Sequence, residues 1–108
     1  MQMPSIFDHN AEKALASDLA AHLVKNISPT TMVERRHTLS ASRITRILEQ
    51  VYERAANYRT QNKPGFLRRT VLTNNFRWEM ESAGYPKDFI DVAVEGFVVA
   101  MTKQPKKP

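Results

Sequence analysis

Residues 66–102 read FLRRTVLTNNFRWEMESAGYPKDFIDVAVEGFVVAMT, and their periodicity decides the fold class. In the first half, the apolar side chains fall on two helical stripes. Leu67, Val71 and Trp78 lie on one, and Leu72, Phe76, Met80 and Ala83 on the other. Two stripes imply two neighbours. Gly84 follows where a helix commonly ends in a left-handed residue, which predicts one helix over 66–83. The weak helix formers Thr73, Asn74 and Asn75 mark the place where it could instead break in two. Beyond Tyr85-Pro86, with proline at a permitted first-turn position, a further helix runs to about Thr102. Its polar residues Asp88, Asp91 and Glu95 form a narrow strip. Phe89, Ile90, Val92, Ala93, Val94, Phe97, Val98, Val99 and Met101 cover the rest. Such a helix is expected to be buried nearly all round, or to meet a partner, including a second copy in a homodimer.

The same spacing continues toward the N-terminus. Ile44, Ile47, Leu48, Val51, Ala55 and Tyr58 recur at three- and four-residue steps. They predict a helix that starts at Ser40 or Ser42 and ends near Gln61, before the breaker Lys63-Pro64-Gly65. Thr31 to Leu39 reads as a connection or a short turn. Ser28-Pro29-Thr30-Thr31 reads as a stop, because proline disfavours α geometry in the residue before it and cannot donate into a helix. Before it, Leu15, Leu19, Leu23 and Ile27, flanked by Ala16, Ala20 and Val24, predict a helix over about 10–26, with Asn10 or Asp8 as cap. No stretch alternates as a strand would. The reading is an all-α, compact, four-helix bundle-like single domain over residues 1–102, with a flexible basic tail at 103–108.

Composition bounds the function classes. The chain has 108 residues, 42% apolar and 25% charged, with no cysteine, which excludes a disulfide scaffold, thiolate metal sites and a cysteine nucleophile. No apolar run reaches the roughly 20 residues of a membrane span. The start, MQMPSIFDHN, lacks a signal-peptide layout, so a cytoplasmic protein without membrane contact is expected. His9, His22 and His37 sit in three different segments without metal-ligand spacing. Glu34-Arg35-Arg36-His37 matches half of a di-iron carboxylate motif, but such sites need two copies and two further glutamates. The pairs Glu49/Glu53 and Asp91/Glu95 sit one turn apart, as solvated helix carboxylates often do. Gly65, Gly84 and Gly96 are too scattered for a phosphate loop. No enzyme activity, cofactor or metal is therefore expected.

Charge is unevenly spread. Sixteen Lys and Arg face eleven Asp and Glu, a net +5. All nine arginines lie between positions 35 and 77, so residues 34–78 balance at +7, residues 79–102 at −4, and the tail at +3. A helix-turn-helix placed on Phe76 to Phe97 fails, because its second helix would bring Asp88, Asp91 and Glu95 to a phosphate-lined groove. A nucleic-acid surface would instead be built from Arg35, Arg36, Arg43, Arg46, Arg54, Arg59, Lys63, Arg68 and Arg69, with Tyr58 as a stacking group. The first functional reading is thus a non-enzymatic regulatory protein that contacts nucleic acid or a nucleoprotein complex through this Arg-rich middle. The alternative is a protein-interaction module, an adaptor, chaperone or inhibitor, that uses an apolar face of one of the last two helices through Trp78, Phe89, Val92 and Val99. Its arginines would recognise an acidic partner or pair internally.

Overall fold

The computed structural model describes residues 9–102. The expected tail at 103–108 and the cap Asp8 lie outside the described residues. Five helices follow one another: α1 (Asn10–Asn26), α2 (Pro29–Glu34), α3 (Ala41–Asn62), α4 (Phe66–Ala83) and α5 (Lys87–Thr102), with a single 3₁₀ turn at Arg36–Thr38 between α2 and α3. No strand occurs among the described residues, and the four long helices occupy the expected segments. The fold is all-α and bundle-like.

The fifth helix is a departure from expectation. Ser28-Pro29 stops α1, but it also starts α2: proline takes the first helical position, where its missing N–H costs nothing, and the Ser28 hydroxyl accepts from the Thr31 N–H at 3.4 Å. α2 then brings Met32 into the core. The cap of α1 also differs, since His9 rather than Asn10 stands at its N-cap position. At the other boundaries the turn chemistry holds. α3 starts on Ser40, whose hydroxyl accepts from the Arg43 N–H at 3.1 Å, and closes on Lys63 in left-handed geometry at φ 47°. α4 runs unbroken and closes on Gly84 at φ 99°. There the Tyr85 N–H reaches back to the Met80 carbonyl at 3.2 Å.

The long helices neighbour one another around a ring in the order α1, α4, α5, α3, and α1 packs most extensively on α4. Consecutive helices α3 and α4 therefore sit across the ring's diagonal. Inside lie Leu19, Leu23, Val51, Leu72, Phe76 and Phe97, with the Phe76 and Phe97 rings stacked at 4.6 Å between centroids. Tyr85 ties the α4–α5 turn to the end of α1, its hydroxyl donating to the Ile27 carbonyl at 2.6 Å. Burial holds that phenol well above its ordinary pKa.

α3 and α5 approach closely enough to need glycine. A Cβ at position 96 would lie 2.5 Å from Cζ and 2.7 Å from Cε2 of Tyr52, whose hydroxyl donates to the Ala93 carbonyl at 3.0 Å. Burial, with the nearby Glu95 charge adding to it, pushes the Tyr52 phenol up to about 12. Gly96→Ala should gain about 1 kcal/mol of helix propensity and lose more than that by displacing the Tyr52 ring and its hydrogen bond, for a net loss of about 1–2 kcal/mol. In a Tyr52→Ala background the clash is gone and the same substitution should be neutral or stabilising. Urea denaturation of the four proteins of this cycle reads the reversal.

Candidate interaction surface

The arginines of the middle segment are mostly engaged within the fold. Arg36 grips Asp88 of α5 with both terminal nitrogens, at 2.7 and 3.0 Å, while its Nε donates to the Met32 carbonyl at 3.2 Å. This fork, with the Phe89 N–H also donating to the carboxylate, holds Asp88 down to about 2. Arg77 donates to Asp91 at 3.1 Å, and Lys87 reaches the other oxygen of that carboxylate at 2.9 Å. Together, Lys87 first and then Arg77, they hold Asp91 below the usual carboxylate range.

Three further arginines close helix ends, where carbonyls lack intrahelical partners. Arg43 donates to the Asn26 carbonyl at the end of α1 (3.2 Å). Arg59 from α3 and Arg69 from α4 reach the Ala100 and Met101 carbonyls at the end of α5, at 3.2 and 3.4 Å. Of the nine cations proposed for a nucleic-acid surface, Arg35, Arg46, Arg54 and Lys63 are exposed and have no side-chain partner among the described residues. They do not form one face. Arg54 borders the α1–α3 groove beside Asp18, Arg46 shares the outer side of α3 with Glu49 and Glu53, and Arg35 and Lys63 stand at separate turns.

Arg68 belongs to a cluster that sequence reading missed. Glu12 of α1 is 1% exposed. Its Oε2 accepts from Arg68 Nε at 2.9 Å and from the Tyr58 hydroxyl, and His9 Nδ1 lies 3.8 Å from Oε1. Arg68 also donates to the Tyr58 oxygen at 3.2 Å. Burial pushes the Glu12 carboxyl up, but the hydrogen bonds from Tyr58 and Arg68 outweigh it and hold it below the ordinary range. Burial, with the Glu12 hydrogen bond adding to it, raises Tyr58 to about 12. Tyr58 is therefore committed to this cluster rather than presented as a stacking group. A signal was present in the sequence: Glu12 precedes Ala16, Leu19 and Leu23 at helical spacing and so lies on the buried stripe of α1. Among the described residues, no group of three or more His, Cys, Asp or Glu could hold a metal ion.

The apolar candidates separate cleanly. Phe89 is core, 6% exposed and packed against Tyr85 at 5.2 Å between ring centroids; it cannot contribute to an outer face, because the first turn of α5 directs it inward beside Ile90 and Ala93. Trp78, Val92 and Val99 are exposed, Trp78 by 60%. α5 is consequently not buried all round. Its outer side alternates Val92 and Val99 with Asp88 and Glu95.

The expectation of two neighbours for the two stripes of α4 is also only half met. Leu72, Phe76 and Met80 fill the core. The other stripe runs outward, with Leu67 (55%) and Trp78 exposed, Val71 half-buried between them, and Asn74 and Glu81 on the same side. Phe66, at the start of α4, and Val98 of α5 flank an open groove between the two helices and are exposed as well. Six of the eight large exposed apolar residues thus belong to α4 and α5. No helix among the described residues is long and apolar enough to cross a membrane. No family model, curated protein or solved structure matches the chain.

Proposed function

We propose that the chain is a non-enzymatic protein-interaction module that docks through the outward ridge of α4. The observation that carries this reading is the ridge itself: Leu67, Val71 and Trp78, at four- and seven-residue steps, with Leu67 and Trp78 exposed and Val71 half-buried among the described residues. Large apolar side chains gathered on one face mark contact sites, and tryptophan concentrates binding energy where it occurs. The engagement of Arg36, Arg43, Arg59, Arg68, Arg69 and Arg77 within the fold supports it, because internal pairing was one of the two fates expected for the arginines of an interaction module, the other being recognition of an acidic partner.

A photo-crosslinking amino acid placed at position 78 tests the reading in cells. A covalent adduct of discrete mass is expected there and none from the same group at Glu53, an exposed position on α3. Equal labelling at both positions, or none at either, overturns it. The nucleic-acid reading rests on Arg35, Arg46, Arg54 and Lys63. Four scattered cations predict weak duplex binding, with a logarithmic salt slope no steeper than about −4. Gel shifts across a salt series measure this, and a steep slope would favour the nucleic-acid reading over the ridge.

A further inference from the structure

We infer that the occupant of the α4 ridge is a second copy of this chain, packed antiparallel on α4 about a two-fold axis; this rests on the interaction reading above. The stripe Leu67, Val71, Asn74, Trp78 has the four-three-four spacing of a helix-packing seam. Its positions are symmetric about the midpoint between Leu72 and Thr73. An antiparallel partner therefore sets Leu67 against the second copy's Trp78, and Val71 against the second copy's Asn74. Each large side chain meets a smaller one, and each contact occurs twice, as a two-fold interface requires.

Charge selects the direction. α4 has no acidic residue in its first turn and no basic residue in its last. Near its N-terminal end it carries Arg68, paired with Glu12, and Arg69, held on the end of α5, with the exposed Lys63 just before it; near its C-terminal end it carries Arg77, paired with Asp91, and the carboxylates Glu79 and Glu81. This is the reverse of what the helix dipole favours within one chain. A parallel copy would set like ends together. An antiparallel copy brings the acidic end of each helix beside the basic end of the other, and sets Glu81 one position from level with the second copy's Lys63, which stands in the turn before α4. Both side chains are exposed and without a partner among the described residues. Asn74 supplies a polar group inside the seam, the usual device for fixing register.

Sedimentation equilibrium of the full chain from about 1 µM to 1 mM tests the inference. The expected mass climbs from 12.4 kDa toward twice that value. The emission of Trp78, the sole tryptophan, shifts to the blue over the same concentrations. Leu67→Glu should remain monomeric, with circular dichroism unchanged because the side chain is exposed. Lys63→Glu and Glu81→Lys should each weaken association about three- to tenfold, and an equimolar mixture of the two should restore it, since every 63–81 pair is then of opposite sign. A chain monomeric at 1 mM, or a mixture no tighter than either variant alone, overturns the inference. If position 78 still crosslinks to a protein of another mass, only the identity of the occupant fails; if it crosslinks to nothing, the interaction reading falls too.

Discussion

Phe76→Ala is expected to cost about 3–5 kcal/mol of folding stability, the range for truncating a buried aromatic residue. Phe76 is fully buried on the inner stripe of α4 and stacks on Phe97 of α5, so the substitution removes its own contacts and one face of its neighbour's. The ring order of the bundle limits relaxation. α4 is held between α1 and α5, and neither can close into the void without parting from α3. A domain of this size has about 5–15 kcal/mol in total. The variant should therefore lose a large share of its stability and melt well below the native protein. A melt recorded by circular dichroism reads this, and a loss under about 1 kcal/mol would mean that the two rings do not form the centre of the core.

The second large effect concerns the buried carboxylate. Arg68→Met should destabilise the protein by about 1–3 kcal/mol at pH 7, because it leaves Glu12 ionised and enclosed with only the Tyr58 hydroxyl, a backbone N–H and the more distant His9 facing it. The figure stays below that for a fully buried pair because the Arg68 side chain is partly solvated. In the native protein the Glu12 carboxyl is held below its ordinary value. Its contribution is therefore complete above the unfolded-state range, near pH 4.3, and is lost as pH falls through the lower folded-state value. Without Arg68, burial moves the folded-state carboxyl upward and that contribution shrinks. The unfolded-state titration is common to both proteins, so the stability difference should be constant near neutrality and narrow as pH falls from the variant's raised carboxyl value through the native protein's lowered one. Urea midpoints at a series of pH values measure it; a difference that widened in acid would contradict the assignment of Arg68 as the partner of Glu12.

Helix existence and helix ends were legible because each boundary has its own chemistry: Ser40 as a cap, Lys63-Pro64-Gly65 and Gly84 as left-handed or extended stops, Pro86 before a first turn. α2 was hidden because the Ser28-Pro29 pair ends one helix and begins the next, and a six-residue helix has too few apolar positions to show a period. The ring order was not legible either. That α4 pairs with α1 rather than with its sequence neighbour α3 depends on which stripes fit together, and many pairings satisfy the same spacing. The fate of the arginines followed from that order. Arg36 meets Asp88 only because α5 packs where it does, and charge counts along a chain are blind to it. Of the proposed interface residues, Trp78, Val92 and Val99 stood out as apolar positions opposite a buried stripe. Phe89 misled because α5 is apolar on nearly every side, which leaves the inward direction undefined by pattern alone.

The pairing of α1 with α4 also sets a timetable for the growing chain. Phe66 lies forty positions after Asn26, and at about 5–20 residues per second the first helix is synthesised some two to eight seconds before the first residue of its main partner is added. Helix formation itself takes on the order of a microsecond. Leu19 and Leu23 therefore wait, helical or not, on a segment with no surface to cover them, and Glu12 waits for Arg68. The bundle closes last where it began, so slowing translation between codons 27 and 65 should lengthen the interval in which the nascent chain is open to proteolysis and aggregation, while the same delay after codon 83 should matter little to α1.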